Sequence, residues 1–178
     1  YDSTTLISKT LAMSLAASLG MITLILIVVL KSFRLAFLCL VPNAIPLLVV
    51  SGISGWLGES LHLGILIVFS IGLGLDVDDT IHLMVRFKQL QKEKPNGDLR
   101  ELMDEALSSP GFAIILTSLV LMVVAICFLG SNFTTMRWTG VTLGIVAITA
   151  VLADLIVLPW LVEKCSFLFQ KENRTVKI

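Results

Sequence analysis

Charge is what this sequence has least of. Asp, Glu, Lys and Arg make up 15% of its 178 residues, well under the roughly 25% of a soluble domain. Hydrophobic residues reach 56% and mean hydropathy is +0.96. That balance excludes an ordinary soluble domain and points to an integral membrane protein or a piece of one. No sign of charge is in excess either: 13 basic residues meet 13 acidic ones, which removes the electrostatic case for a nucleic-acid partner. The three cysteines, Cys39, Cys127 and Cys165, lack metal-ligand spacing. No nucleophile constellation is visible, and Gly72-x-Gly74 lies within an apolar run rather than in a phosphate-binding loop. The chain is therefore expected to be no enzyme, to need no cofactor or metal, and to draw energy from an ion gradient. No signal peptide is visible, and the sequence opens on Tyr1-Asp2-Ser3 without Met, as expected of a fragment of a longer protein.

What is there is a series of five apolar runs, about 11–30, 35–56, 63–85, 111–130 and 138–161. Each is close to the roughly 20 residues that cross a bilayer as a helix. They are too long and too continuously apolar for half-buried strands, and lipid admits only helices or closed barrels. The expected fold class is an all-α membrane protein with five transmembrane helices. Residues 1–10 form an extracytoplasmic lead-in, 11–163 the five-helix domain, and 164–178 a cytoplasmic tail.

Orientation follows from the basic residues. One side holds Lys31, Arg34, Arg86, Lys88, Lys92, Lys94, Arg100, Lys164, Lys171, Arg174 and Lys177; the other holds Lys9 and Arg137. The positive-inside rule puts the N-terminus outside and the C-terminus in the cytoplasm. In the loop 86–110, Pro95-Asn96-Gly97 is a turn signal and Asp98 with Glu101 a capping-box variant. Leu99, Leu102, Met103, Ala106 and Leu107 then share one helical face, predicting a short amphipathic helix over 98–108 on the membrane surface. It reads equally as a plain connector or as a lever between the spans it joins. Gly52, Gly55 and Gly58, and separately Gly140-x-x-x-Gly144, are small-residue faces suited to close helix packing.

One stretch breaks the apolar rule. Gly72-Leu73-Gly74-Leu75-Asp76-Val77-Asp78-Asp79-Thr80-Ile81-His82 sets three carboxyls and a histidine at the end of the third run. A charge in the bilayer core costs roughly 2.5–3.5 kcal/mol on insertion scales. On a helix, Asp78, Asp79 and His82 fall within about 100° of arc, and Asp76 lies roughly 60° beyond Asp79.

The pattern Gly74-x-x-x-Asp78-Asp79-Thr80-Ile81-His82 resembles the fourth or tenth helix of the resistance–nodulation–division superfamily. The branch it is most similar to holds the mycobacterial membrane large proteins, hopanoid transporters and Patched. Pro42-Asn43-Ala44-Ile45-Pro46, Leu116-Thr117-Ser118-Leu119 and the stretch from Arg137-Trp138-Thr139-Gly140 through Ala153-Asp154 to Leu158-Pro159 resemble the neighbouring helices in the same order. The resemblance implies that Asp78 and Asp79 are the proton- or ion-coupling carboxyls, in one five-helix unit of a doubled transporter, here read as the second half with the first half as the alternative.

The other runs offer polar residues at matching depth. Thr23, Asn43, Asp78, Thr117, Ser118 and Asp154 each lie seven to nine residues from the cytoplasmic end of their run, about 10–14 Å in at the helical rise. Pro42 and Pro46 flank Asn43 and predict a locally broken helix there. Two adjacent carboxyls in low dielectric resist being charged together, so the pair is expected to take up and release protons as a unit. Plainer readings stay open. Asp154 also reads as a helix-packing hydrogen bonder, Thr23, Thr117 and Ser118 as backbone-bonding residues, and His82 as a solvated histidine.

The function expected from the resemblance is proton-motive-force-driven export or trafficking of lipids or other hydrophobic molecules across the inner or plasma membrane. Its partners are membrane lipids, protons, the hydrophobic substrate and the rest of the same transporter, with a homo-oligomer compatible. A sterol-sensing-type binding module and a protein-export accessory subunit of the same superfamily are the rival readings.

Overall fold

The computed structural model describes residues 3–56, 63–95 and 97–165, and among them there is no strand. The helices are α1 (Ser3–Leu30), α2 (Phe33–Trp56), α3 (Leu63–Glu93), α4 (Leu99–Leu107), α5 (Pro110–Leu129), α6 (Thr134–Leu152) and α7 (Leu158–Lys164). A π-helical turn, Ala153–Val157, joins α6 to α7. Gly58, Asn96 and the tail 166–178 lie outside the described residues.

Three of these rods are long and apolar enough to cross a membrane: Phe33–Trp56, Pro110–Leu129 and the continuous Thr134–Lys164. Ala16–Leu30 is a shorter apolar stretch within α1. Of the five expected spans, three meet that measure among the described residues. α3 places Asp76, Asp78 and Asp79 in its apolar half and is not among them. At 31 residues it is roughly 46 Å long, so it carries well past the expected boundary at 85. Much of the supposed loop 86–110 is therefore helix. The outer faces of the rods are apolar. On α5, Phe112, Ile115, Leu119, Val123 and Ile126 are all exposed, a surface that water would not tolerate and lipid would.

Several local features trace to single residues. α1 stops at Lys31, whose φ of 48° is left-handed, a conformation that costs an L-residue roughly 1–2 kcal/mol. α2 runs unbroken through Pro42 and Pro46, so the expected break does not occur. The Asn43 amide instead donates from Nδ2 to Cys39 O at 2.9 Å, bonding back along the helix beside the prolines. The π turn has a cause in Pro159, which cannot donate to the carbonyl of Leu155 and crowds it with its ring. Widening the preceding turn relieves that crowding.

Two apolar clusters hold the bundle. One, at the α4 end, gathers Leu30, Leu35, Met84, Phe87, Leu102 and Leu158 among others. The second, at the far end, gathers Val50, Ile65, Val68, Phe69, Leu143 and Val146 with Ala125. α4 has the expected amphipathic face: Leu102, Met103 and Ala106 are buried while Arg100, Glu101, Asp104 and Glu105 are exposed. That face packs into the first cluster, against protein rather than along lipid. Asp98 sits at its N-cap in extended conformation without a side-chain cap bond, so the capping box does not form.

The glycines separate in the same way. A methyl on Gly140 would lie 2.8 Å from Ala125 O and 2.9 Å from Phe128 Cβ, the closest α5–α6 approach on this face. A methyl on Gly72 would lie 2.8 Å from Val146 Cγ1, across the contact of α3 with α6. A methyl on Gly52 or Gly55, by contrast, would meet nothing within 4 Å among the described residues.

Candidate functional site

Between the two clusters, on three helices at once, the buried residues turn polar. On α2, Asn43 lies between Cys39 of the first cluster and Val50 of the second. On α3, Asp76 and Thr80 lie between Phe69 and Leu83. On α6 and its π turn, Asp154 lies between Val146 and Leu158. All four are sealed: Asn43 and Asp154 are 1% exposed, Asp76 4% and Thr80 0%.

Helix phase decides which α3 residues enter this layer. Asp76 and Thr80 are four apart and share the inward face. Asp79 stands at the boundary, half-buried, and accepts a hydrogen bond from Thr117 Oγ1 of α5 at 3.2 Å. Asp78 lies two residues from Asp76, on nearly the opposite side of the helix. Its side chain is 67% exposed and sits 3.5 Å from His82 Nε2, itself 71% exposed.

The hydroxyl of Thr80 is the hinge of the layer. It lies 2.8 Å from Asp154 Oδ1 and 3.1 Å from Asn43 Oδ1, and its single hydrogen can go to one of them at a time. The Asn43 amide is oriented by its Nδ2 bond to Cys39, which turns Oδ1 toward Thr80. Asp76 has no donor on either carboxyl oxygen. Among the described residues the Asp154 carboxyl, held by Thr80 one turn along α3 from Asp76, is its neighbour. Two carboxylates are both acceptors, so that contact becomes a bond only when one carries a proton.

The residues named from sequence therefore divide. Asn43, Asp76, Asp154, Asp79 and Thr117 are brought together from four segments. Asp78 and His82 share the outer face of α3. Thr23 donates to Leu19 O of its own helix at 2.7 Å. Ser118 lines a cleft of about 280 Å³ between α5 and α6 with Leu119, Met122, Ala147 and Val151. Thr80, the residue that ties α2, α3 and α6 together, was not singled out by the sequence reading. Its spacing of four from Asp76 was the available signal. A second cleft, of about 430 Å³, opens between α3 and the start of α5, lined by Asp79, His82, Arg86, Gln89, Ser109 and Ile114.

The profile of the MMPL family matches residues 1–176, nearly the whole chain. The chain belongs to the MMPL family. Members of this family, within the resistance–nodulation–division superfamily, are membrane transporters rather than enzymes and form part of larger transporters. No curated protein matches the chain significantly. MMPL membership and the exposed apolar helices together make this a multi-pass membrane protein with an RND-type, transporter-like role.

Proposed function

We propose that this MMPL chain is the five-helix membrane unit of a transporter driven by the proton gradient, exporting or trafficking lipids or other hydrophobic molecules. One observation carries the reading. Three carboxyls, Asp76, Asp79 and Asp154, are gathered from two helices between two apolar clusters: Asp154 accepts from Thr80, which also faces Asn43 of α2, Asp79 accepts from Thr117 of α5, and Asp76 is buried without a donor. A carboxyl in such a place is costly when charged and neutral when protonated. It can therefore load and unload protons as access alternates between the two sides.

In this reading α1 and α3 complete the five spans, with the basic ends of α3 and α7 on the cytoplasmic side of the inner or plasma membrane. Asp79 takes and passes the proton with Thr117 as its partner. Asp78, on the outer face of an apolar helix, requires water or a neighbouring protein surface; the other half of the same transporter supplies it, this unit being the second half.

The test uses the full-length transporter in proteoliposomes with an imposed pH gradient. Asp78→Asn and Asp79→Asn each keep shape but remove a titratable group. Each is expected to abolish transport while expression and folding survive, and the double variant to be no worse, since groups acting as a unit are not additive. Full activity of the double variant under that gradient would sink the relay and shift weight to a lipid-sensing module. Cysteine placed at Lys92 is expected to label only from the cytoplasmic side.

A further inference from the structure

We infer that Asp76 and Asp154 share one proton, forming a carboxylic acid–carboxylate pair that is the inner proton site of this bundle. The inference starts from a count of donors. Around the pair the acceptors are both oxygens of Asp76, both oxygens of Asp154 and Asn43 Oδ1, while the hydroxyl of Thr80 is a donor turned toward the layer. One of the two Asn43 amide hydrogens goes to Cys39 O. Asp76, 4% exposed, is left with neither oxygen satisfied. A buried carboxylate without a donor is among the most costly groups a fold can hold. Its facing group is another carboxyl, so one added hydrogen satisfies both acids at once.

A shared proton lowers the charge of the pair from −2 to −1. The titratable groups turned toward it are Asp79, three residues along the same helix, and the Cys39 thiol of α2. Lys88, a cation on the same helix as Asp76, is three helical turns toward the loop and donates to the Leu30 carbonyl at the end of α1. The balance is simple: with one proton the pair is Asp–COOH and Asp–COO⁻, with net charge −1. A second proton makes it neutral, and releasing the shared one leaves two like charges in contact. Thr80 can switch its hydrogen between Asp154 and Asn43 as the pair loads and empties. The π turn supplies the means, since Asp154 sits in the widened turn that departs from the regular helix on either side. The part this pair plays in transport rests on the relay reading above; the shared proton does not.

Infrared difference spectroscopy on the full-length transporter in nanodiscs tests it, following the carbonyl stretch of a buried protonated carboxyl and its shift on exchange into D2O. At neutral pH a band is expected in the wild type and in Asp78→Asn. It is expected to vanish in Asp76→Asn and in Asp154→Asn, because the new amide donates to the remaining carboxylate. Thr80→Val should keep the band but move it, having lost the hydroxyl on Asp154. Absence of the band in the wild type, its survival in both Asn variants, or its loss on replacing choline by Na⁺ overturns the inference. Should one variant fail to fold, the other and the Thr80→Val shift still decide it. Transport assays separate the two levels. A band that behaves as expected in variants that still transport under a pH gradient leaves the shared proton standing and removes its role in coupling.

Discussion

Replacing Gly140 by Ala is the sharpest test of the α5–α6 packing. On a helix the exchange alone is favourable by about 1 kcal/mol, from lower unfolded-state entropy and better propensity. The new methyl, however, would lie 2.8 Å from Ala125 O, 2.9 Å from Phe128 Cβ and 3.1 Å from Leu129 N. Two of those three atoms are backbone and cannot rotate away. The helices must part by a few tenths of an ångström, loosening the contacts along their shared face. Such overpacking typically costs 1–3 kcal/mol, so the net expectation is a loss of up to about 2 kcal/mol after the propensity gain. Gly144→Ala is the internal control. Its methyl would sit 3.8 Å from Ala125 Cβ and Met122 Sδ, at ordinary contact distance, so it should be neutral or gain up to about 1 kcal/mol. Thermal unfolding of both variants in the same detergent, followed by size-exclusion, measures the difference. Equal stability of the two, or a less stable Gly144→Ala, would refute the packing argument.

Four further outcomes follow. Thr80→Val strips a buried donor from two acceptors and should cost about 1–3 kcal/mol, whereas Thr80→Ser should restore most of it; unfolding midpoints check both. Lys31→Gly relieves a left-handed residue and should stabilise by about 1 kcal/mol, while Lys31→Val should lower the midpoint. Leu102→Ala empties a fully packed site between α4 and the bundle, at a cost of about 2–5 kcal/mol, and should raise protease sensitivity at 94–98. Glu105→Gln breaks an exposed 2.5 Å contact with Lys94 yet should change stability by less than about 1 kcal/mol.

The helices and the kind of site were legible in the sequence because each has a periodic or compositional cause. The apolar runs mark α1, α2, α3, α5 and α6, the i, i+3, i+4 spacing marks α4, and the carboxyls mark the polar layer. Even the arc was right, since Asp76 does lie just beyond Asp79 around α3. What the sequence could not say is on which side of that arc the bundle lies. A single helix with three aspartates in four positions presents carboxyls on nearly every side. Which of them is buried depends on where α2 and α6 sit, and that is set by contacts far away in the chain, such as Gly72 against Val146. The adjacent pair Asp78–Asp79 drew attention because adjacency in sequence is visible. Adjacency in space joins Asp76 to Asp154, 78 positions later, through a turn whose widening at Pro159 no periodicity announces. The glycines teach the same limit. Gly140 and Gly52 open equally plausible small-residue faces, yet a methyl on one would press against Ala125 and a methyl on the other would meet nothing within 4 Å among the described residues. A pattern fixes what a face is suited to meet; only the packing of the remaining helices determines whether anything is there to meet it.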